Sequence, residues 1–199
     1  DTMPNKLATR TLHIMVYDSQ SGTLIKYKKI DNPDSVKNIQ LAFNSGVRDI
    51  YILGNPQPSM NLDNLTDRTA LRGMISDLKE EETPWFTYGG LSVEREVFDN
   101  TTMTIIPFRL VSKLIVRSIK ADFAGTPWEG MQLTSPRIYM TNVVSRKKTF
   151  LMNESIPKVF LNKDSLSITD GTGNLSRNLL CDTIASAIGA SPHTTRHHF

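Results

Sequence analysis

The sequence predicts a mainly β fold: a β-sandwich with one or two short helices, followed by an incomplete second β domain. Short segments in which apolar and polar residues alternate recur along the chain, and residues typical of turns bound most of them. Only the segment 61–78 has helical periodicity within the first 150 residues. Strands that do not alternate regularly with helices favour a sandwich or barrel over an α/β design.

Four strands are predicted in the first part of the chain. Alternation over 11–18 puts the even-numbered residues on one face of a strand and the odd-numbered residues on the other. The turn-forming residues Asp18–Gly22 connect this segment to a second one at 23–28, which predicts a hairpin. Two more strands are expected at 35–42 and 47–53.

A single surface helix is predicted over 61–78, because apolar residues recur there at helical spacing and two aspartates lie near its start. Strand character returns at 85–88 and 93–98. Gly89–Gly90 lies between these two segments and is predicted to be the turn that joins them.

The strongest strand pattern of the chain runs over 103–119, with Pro107 expected at a bulge or an edge position. A further strand is predicted over 137–144. The polar and basic run Ser145–Lys148 follows it and is interpreted as an exposed loop.

The last part of the chain differs in kind. A short helix is expected within Leu175–Ile188, with Ser176 as its N-cap and Gly189 as its stop. Too few strands remain there for a second sandwich of about 100 residues, so we expect the chain to be a fragment. The predicted ranges are an N-terminal segment at 1–10, a β-sandwich domain at 11–152, and a linker with the beginning of a truncated C-terminal domain at 153–199.

Composition argues against several classes of protein. Lys and Arg total 23 against 20 for Asp and Glu, and the longest basic run is Arg146–Lys148, so we predict no nucleic-acid partner. Cys181 is the only cysteine, which excludes an internal disulfide. No apolar run approaches the roughly 20 residues of a membrane-spanning helix. Residues 1–10 lack the apolar region of a signal peptide, so we expect any export signal to lie outside this sequence.

We predict no catalytic, cofactor-binding or metal site, and no cofactor. His193, His197 and His198 include a pair at i, i+4 spacing, but neighbouring Pro192 favours a solvated loop over a metal site. Cys181 lacks a nearby histidine and is expected to be inert.

Three further groups have a functional and a structural interpretation. The carboxylates Glu80–Glu82 favour a solvated turn over a site for a hard cation. The aromatic segment Trp85–Tyr88 suits a carbohydrate platform, although packing in the core is the commoner fate of such residues. Arg109 and Lys113 either project from the solvated face of a strand, which we favour, or line a groove between subunits.

Four segments carry a resemblance to a known family. Thr11–Asp18 is a strand that ends in Tyr and Asp, and Asp49–Asn55 is a strand that ends in a small residue and Asn. Phe108–Val116 has an Arg and a Lys flanking small and apolar positions, and Arg137–Val143 follows it. In this order and spacing, over roughly residues 11–150, they resemble the fimbrillin family of Bacteroidetes surface fimbriae.

The resemblance implies a two-domain subunit in which each domain is a transthyretin-like, Greek-key β-sandwich. It implies export as a lipoprotein and polymerisation on the extracellular surface of the outer membrane, with membrane contact only through a lipid anchor on the precursor. Proteolysis after Arg or Lys releases an N-terminal strand in this family, and a strand of the next subunit fills the groove. Arg10 and Lys6 are candidate processing sites, although residues 1–10 lack the alternation of a strand.

The primary prediction is therefore a structural subunit of fimbriae that is not an enzyme. Its predicted partners are other fimbrial subunits through strand complementation, with host proteins or glycans as further candidates. The alternative is a tip adhesin or a surface glycan-binding lipoprotein of the same fold. A third hypothesis, an enzyme associated with the outer membrane, lacks a set of nucleophile, base and orienting residue.

Overall fold

The structure is a computed structural model that describes residues 8–33, 38–63, 65–82, 84–112, 114–140, 143–150, 159–161 and 180–198. It is mainly β with an open antiparallel sheet, which confirms the predicted fold class. Among these residues, no helix is long and apolar enough to cross a membrane. The strands are β1 (Thr11–Asp18), β2 (Leu24–Asp31), β3 (Gly46–Gly54), β4 (Ile75–Asp77), β5 (Tyr88–Val97), β6 (Phe108–Arg109), β7 (Ile115–Val116), β8 (Arg137–Met140), β9 (Val143–Lys148), β10 (Val159–Leu161), β11 (Leu180–Thr183) and β12 (His197–His198), and the helices are α1 (Arg68–Gly73) and a 3-10 turn (Leu78–Glu80).

The chain divides into two compact units. Unit 1 contains Asp1–Ser112 and Ser145–Val159, and unit 2 contains Lys113–Val144 and Phe160–Phe199. Both units use residues from the predicted domain at 11–152. The domain ranges given above remain predictions.

Unit 1 is built on a five-stranded sheet with the order β2-β1-β3-β5-β6. β1 and β2 form the hairpin that the sequence predicts, with Thr11 opposite Asp31. The carboxylate of Asp18 accepts from the Ser21 N–H at 2.9 Å, and Gly22 has a φ of 74°, a value that favours glycine, so the turn is set by local chemistry. β1 also pairs with β3 along its length, which makes these two strands the centre of the sheet.

The central strands are buried on both faces, and the predicted separation of even and odd residues in β1 is confirmed. Met15 and Tyr17 face one side, where Leu71 of α1 and Phe150 cover the sheet. Ile14 and Val16 face the other side. That second side is covered by partly buried residues from two segments outside the sheet: Ile39, Leu41, Phe43, Met103 and Ile105.

The strand predicted at 35–42 is wrong over its described part, because 38–42 forms no ladder. Its alternation has another cause. Ile39 and Leu41 turn inward against the central sheet, and their polar neighbours face outward, so burial alone produces the period of two.

The helix predicted over 61–78 is too long. α1 begins after Asp67, whose side chain accepts from the Ala70 N–H at 3.0 Å, and it ends at Gly73. Ile75–Asp77 then pairs with β9 as strand β4. Pairing with a distant strand therefore overrides the helical periodicity of this segment.

Gly89–Gly90 does not form the predicted turn, since both residues lie inside β5. A Cβ atom at Gly89 would lie 3.0 Å from Cζ of Phe108, and one at Gly90 would lie 2.7 Å from Cγ1 of Ile52. These glycines allow neighbouring side chains to pack against the strand backbone. The strand predicted at 85–88 is consequently wrong except at Tyr88, where β5 begins.

The segment 103–119 is not one strand. It contains the two short strands β6 and β7, and the chain passes from unit 1 to unit 2 between them. Pro107 directly precedes β6, where its missing N–H removes no ladder bond.

Two interpretations of the later sequence are also wrong. Ser145–Lys148 is not a loop, because it belongs to β9 and pairs with β4. The helix predicted within 175–188 is absent from its described part: Leu180–Thr183 is strand β11, paired with β8. Ser176 lies outside the described residues.

Unit 2 has two short antiparallel pairs, β8 with β11 and β7 with β12. Ala121, Ile184 and Ile188 are buried together and form its core. Backbone hydrogen bonds join Leu133 to Ile188 in both directions, at 2.9 and 3.0 Å.

A substitution at Gly54 tests how the Tyr88 ring packs against the end of β3. A Cβ atom there would collide with the ring of Tyr88, so we expect Gly54→Ala to lower the free energy of unfolding by about 1–3 kcal/mol. Gly73 is the control, because a Cβ atom there meets nothing within 4 Å, and Gly73→Ala should leave stability unchanged or raise it by up to about 1 kcal/mol. Urea denaturation measures both. Equal stability of the two variants would contradict the packing argument.

Candidate functional site

The sheet of unit 1 ends in two edges that differ in chemistry. β2 forms the first edge, and its only strand neighbour in the described sheet is β1. Its first residue is covered, since the Leu24 N–H donates to the Thr66 C=O at 3.0 Å. Three lysines follow along this strand, and lysine on an edge strand opposes pairing with other chains. They are Lys26, Lys28 and Lys29.

The second edge is the outer side of β5. β6 pairs only with Tyr88 and Gly89, so no described strand pairs with this side of Gly90–Val97. Large apolar side chains lie exposed nearby: Val93 is 47% exposed, Phe98 61% and Ile106 81%. We call the outer side of Gly90–Val97, with Phe98 and Ile106, the β5 edge.

A bulge shapes the β5 edge. Glu94 has a φ of 51°, and its N–H donates to the carboxylate of Asp49 at 2.7 Å. Asp49 also accepts from the Ser19 hydroxyl at 2.5 Å and from the guanidinium of Arg68. Burial alone would raise the pKa of Asp49, but these hydrogen bonds outweigh burial and lower the pKa. The ionised Asp49 therefore holds the bulge in place.

Asn55 holds the segment before β1 against the end of β3. It has a φ of 49°, which asparagine tolerates better than most residues. Its Oδ1 accepts from the Arg10 N–H at 2.8 Å, and its Nδ2 donates to the C=O groups of Ala8 at 2.9 Å and Phe86 at 3.1 Å. The small residue and Asn that end the strand Asp49–Asn55 thus have a physical role, since Gly54 admits the Tyr88 ring and Asn55 binds the backbone.

A third edge is short and is capped by a side chain. β4 is the outermost strand of the sheet β10-β9-β4. The Asp77 N–H donates to Oε1 of Gln57 at 2.7 Å, and Nε2 of Gln57 donates to the Asp77 C=O at 2.9 Å. Gln57 stands between Pro56 and Pro58, neither of which has an N–H. The amide side chain of Gln57 therefore takes the place of a partner strand residue.

A cleft of about 410 Å³ lies beside β4. Its rim carries two carboxylates and one guanidinium, and Nε of Arg146 lies 3.4 Å from Oδ2 of Asp77. The cleft is lined by Ser59, Met60, Asn61, Leu65, Ala70, Gly73, Met74, Ile75, Asp77, Glu80 and Arg146.

Glu81 fixes the other side of Gln57. Its carboxylate accepts from Nε2 of Gln57 at 2.6 Å and from the Thr87 N–H at 2.8 Å. Burial raises the pKa of Glu81 despite these hydrogen bonds, and burial lowers the pKa of Lys147 despite the charge of Glu81. Both groups are therefore shifted toward their neutral forms.

The other residues considered from the sequence do not converge on one site. Glu80 and Glu82 make exposed hydrogen bonds and agree with the predicted solvated turn, whereas Glu81 is partly buried and accepts hydrogen bonds from Gln57 and Thr87. Trp85 and Phe86 are partly buried, and Tyr88 is fully buried. Arg109 lies on β6, and Lys113 is outside the described residues.

The histidines are not in a helix. His193 bridges to Ile119, and His197–His198 forms β12, which corrects the expected loop. Cys181 lies in β11. No group of three or more His, Cys, Asp or Glu residues in the described part of the chain could hold a metal ion.

The sequence analysis does not identify Gln57, interprets Glu81 only as part of a solvated turn, and gives Asn55 no role. Asn55 ends the strand motif Asp49–Asn55, and an Asn directly after a glycine at a strand end is a signal for positive φ. The Pro-Gln-Pro sequence at Gln57 was a weaker signal, because it marks a segment that cannot pair through its own backbone. The position of Glu81 depends on Thr87 and Gln57, and nothing local indicates it.

Two solved structures resemble this chain. One is a candidate cell adhesion protein from Parabacteroides distasonis, with a TM-score of 0.58 and 15% identity, and the match covers 72% of this chain and 50% of that one. The other is the tip fimbrial protein Mfa3 from Porphyromonas gingivalis with a C-terminal truncation, with a TM-score of 0.54, 16% identity, and coverage of 76% and 56%.

These likenesses establish the fold. The chain spans about half the length of the two structures it matches. No protein-family model and no curated protein sequence matches it. At 15–16% identity the two comparisons show a shared fold, and a shared fold alone does not establish a function.

Substitutions at Asn55 test whether its side chain holds the segment before β1. Both Asn55→Gly and Asn55→Ala remove the side-chain hydrogen bonds, so we expect faster cleavage after Arg10 by an Arg-specific protease, followed by mass spectrometry. Only the alanine variant also forces a positive φ, and it should be less stable than the glycine variant by about 1–2 kcal/mol. Asn100→Gly, at another positive φ, is the control. Unchanged cleavage in both Asn55 variants would show that Asn55 does not hold this segment.

Glu81 is expected to make stability depend on pH. Because its pKa is raised in the folded state, the folded protein favours the protonated carboxyl, and the free energy of unfolding falls as pH rises through that raised pKa. We expect Glu81→Gln to flatten this slope in urea melts carried out from the ordinary pKa of a glutamate upward. Glu82→Gln removes the same charge at an exposed position and is the control. A slope in Glu81→Gln equal to that of the unsubstituted protein would refute this role.

Proposed function

We propose that this chain belongs to a structural subunit of bacterial cell-surface fimbriae, which assembles by pairing β-strands with neighbouring subunits. The β5 edge is the observation that carries the proposal. On the side of Gly90–Val97 that faces away from β3, no described strand pairs with the backbone and apolar side chains are exposed, whereas β2 presents lysines. The shared fold with a tip fimbrial protein supports it.

The physics of strand addition fits the β5 edge. An incoming strand would gain main-chain hydrogen bonds and would also cover Val93, Phe98 and Ile106, at about 25 cal/mol for each Å² of apolar surface removed from water. Glu94–Glu96 carries charges of both signs, so a partner with complementary charges would be favoured over others. The bulge at Glu94 makes the edge selective, because a regular flat strand cannot follow it.

The rest of the proposal follows from the family that the sequence resembles. The partners are other fimbrial subunits, and the location is the fimbrium on the extracellular surface of the outer membrane. A lipid anchor on the precursor and proteolysis after an Arg or Lys belong to the same proposal. So do the ranges 11–152 and 153–199 as an N-terminal domain and the start of a C-terminal one. The proposed role requires no catalysis.

A tip adhesin of the same fold is the second candidate. In unit 2, Trp128 is 57% exposed on a loop whose backbone is held by hydrogen bonds, including Met131 N–H to Trp128 C=O at 2.9 Å. An exposed indole ring on a hydrogen-bonded loop suits contact with a glycan. A glycan array with the intact protein and its Trp128→Ala variant separates this candidate from a purely structural role.

Assembly is tested by incubating the full-length mature protein with an Arg-specific protease. We expect SDS-resistant ladders on gels and filaments by electron microscopy. Val93→Lys should reduce the ladders strongly, since a lysine on the β5 edge opposes strand addition. Val47→Lys is the matched control, because Val47 is equally exposed, at 46%, but belongs to the interior strand β3.

Two results would contradict the proposal. Clean cleavage of the unsubstituted protein without ladders would count against strand assembly as a whole. Full ladders from the Val93→Lys variant would count against the β5 edge as the site of pairing.

A further inference from the structure

The backbone of β4 has one side paired with β9 and one side turned outward. Ser76 lies opposite Lys147, and the Met74 C=O accepts from the Thr149 N–H at 2.9 Å. In an antiparallel ladder, alternate residues exchange hydrogen bonds with the partner strand. Met74 and Ser76 therefore face β9, while the N–H and C=O groups of Ile75 and Asp77 point to the outer edge.

The backbone groups of the two outward residues differ in their hydrogen bonding. Asp77 is fully paired by the side-chain amide of Gln57. Across the residues that the structure describes, no group bonds to the outward N–H or C=O of Ile75. The Ile75 side chain is 43% exposed. One donor and one acceptor thus stand open at the edge, beside the cleft.

The cleft provides an apolar floor next to this open pair. Met60 and Leu65 are buried in it, at 7% and 5% exposure, and Met74 is partly buried. Of the charged residues that line the cleft, Asp77 is paired with Arg146 at 3.4 Å, so the Glu80 carboxylate is the lining acid that is left to meet a positive charge. An apolar side chain flanked by positive charge would complement this surface.

We propose that the outer edge of β4 and the adjacent cleft form a docking site for a short extended peptide of another protein, with a bulky apolar residue flanked by basic residues. The peptide residue opposite Ile75 would donate its N–H to the Ile75 C=O and accept from the Ile75 N–H. Apolar and basic side chains on the same side of that peptide would enter the cleft and meet its acidic rim.

The length of the open edge separates this site from the β5 edge. Gln57 blocks backbone pairing at Asp77, and α1 ends at Gly73, so only the stretch around Ile75 can accept a partner. A cap at one end and a helix at the other leave no room for a full strand of a neighbouring subunit. The proposal goes beyond fimbrial assembly and does not require it.

The probe is the acetylated and amidated peptide Lys-Thr-Leu-Thr-Lys, together with the same peptide N-methylated at leucine. Binding is followed by amide chemical shifts in NMR titrations, because so small a contact is expected to have a Kd in the millimolar range. We expect shifts at Gly73, Ile75 and Gln57. The N-methylated peptide should bind about tenfold more weakly, since it cannot donate to the Ile75 C=O.

Ile75→Pro and Ile75→Thr separate backbone pairing from apolar contact. Proline removes the outward N–H and leaves the bonds to β9 intact, and Met74 has a ψ of 134°, which suits a residue before proline. Ile75→Pro should weaken peptide binding about tenfold, whereas Ile75→Thr keeps both backbone groups and should retain most of it. Thermal melts establish that both variants are folded.

Three outcomes would overturn the proposal: no binding by the unsubstituted protein, equal binding of the two peptides, or shifts confined to other surfaces. The N-methylated peptide keeps the test valid if Ile75→Pro does not fold. Peptide binding and polymerisation are measured separately, so failure at β4 leaves fimbrial assembly standing, and failure of assembly leaves the β4 site standing.

Discussion

The burial of β1 and β3 on both faces is the constraint on which unit 1 depends. Met15 and Tyr17 point to one side of β1 and Ile14 and Val16 to the other, and all four are nearly inaccessible to water. Each such side chain contributes about 1.5–3 kcal/mol when it is fully buried. Neither side of the sheet can therefore remain open, and this requirement explains why α1 and Phe150 cover one face while irregular segments cover the other.

At several places where strand pairing stops, a side chain forms hydrogen bonds with the backbone. Asn55 binds four backbone groups at the end of β3, Asp49 binds the N–H of the bulge in β5, and Gln57 binds both groups of a β4 residue. A buried N–H or C=O without a partner costs about as much as a lost hydrogen bond, so each strand end needs such a solution. In the described part of the chain, the outer sides of β2 and β5 and the backbone of Ile75 have no such solution. β2 carries lysines that oppose pairing, so β5 and Ile75 are the proposed places of contact with another chain.

The sequence predicts local structure well and non-local structure poorly. The hairpin of β1 and β2 and the strand β3 follow from alternation and from the turn at Asp18–Gly22, which are local signals. The errors at 61–78 and 145–148 share one cause: these segments pair with each other as β4 and β9, across a distance that no local pattern records. The candidate site shows the same contrast. Asn55 lies in a motif that can be recognised in the sequence, whereas Gln57 binds the backbone of Asp77, twenty residues further along the chain.

The order of the chain sets when unit 1 can form. Its core includes Phe150, which is 4% exposed, and β4 has its ladder partner in β9, yet both come after most of the first segment of unit 2 has been synthesised. A nascent chain that has emerged only as far as Ser112 would lack Phe150 from the cover of its central sheet and would leave β4 without its ladder partner β9. Translation must pass Phe150 before the core of unit 1 is complete, so part of its apolar surface stays exposed to water during that interval.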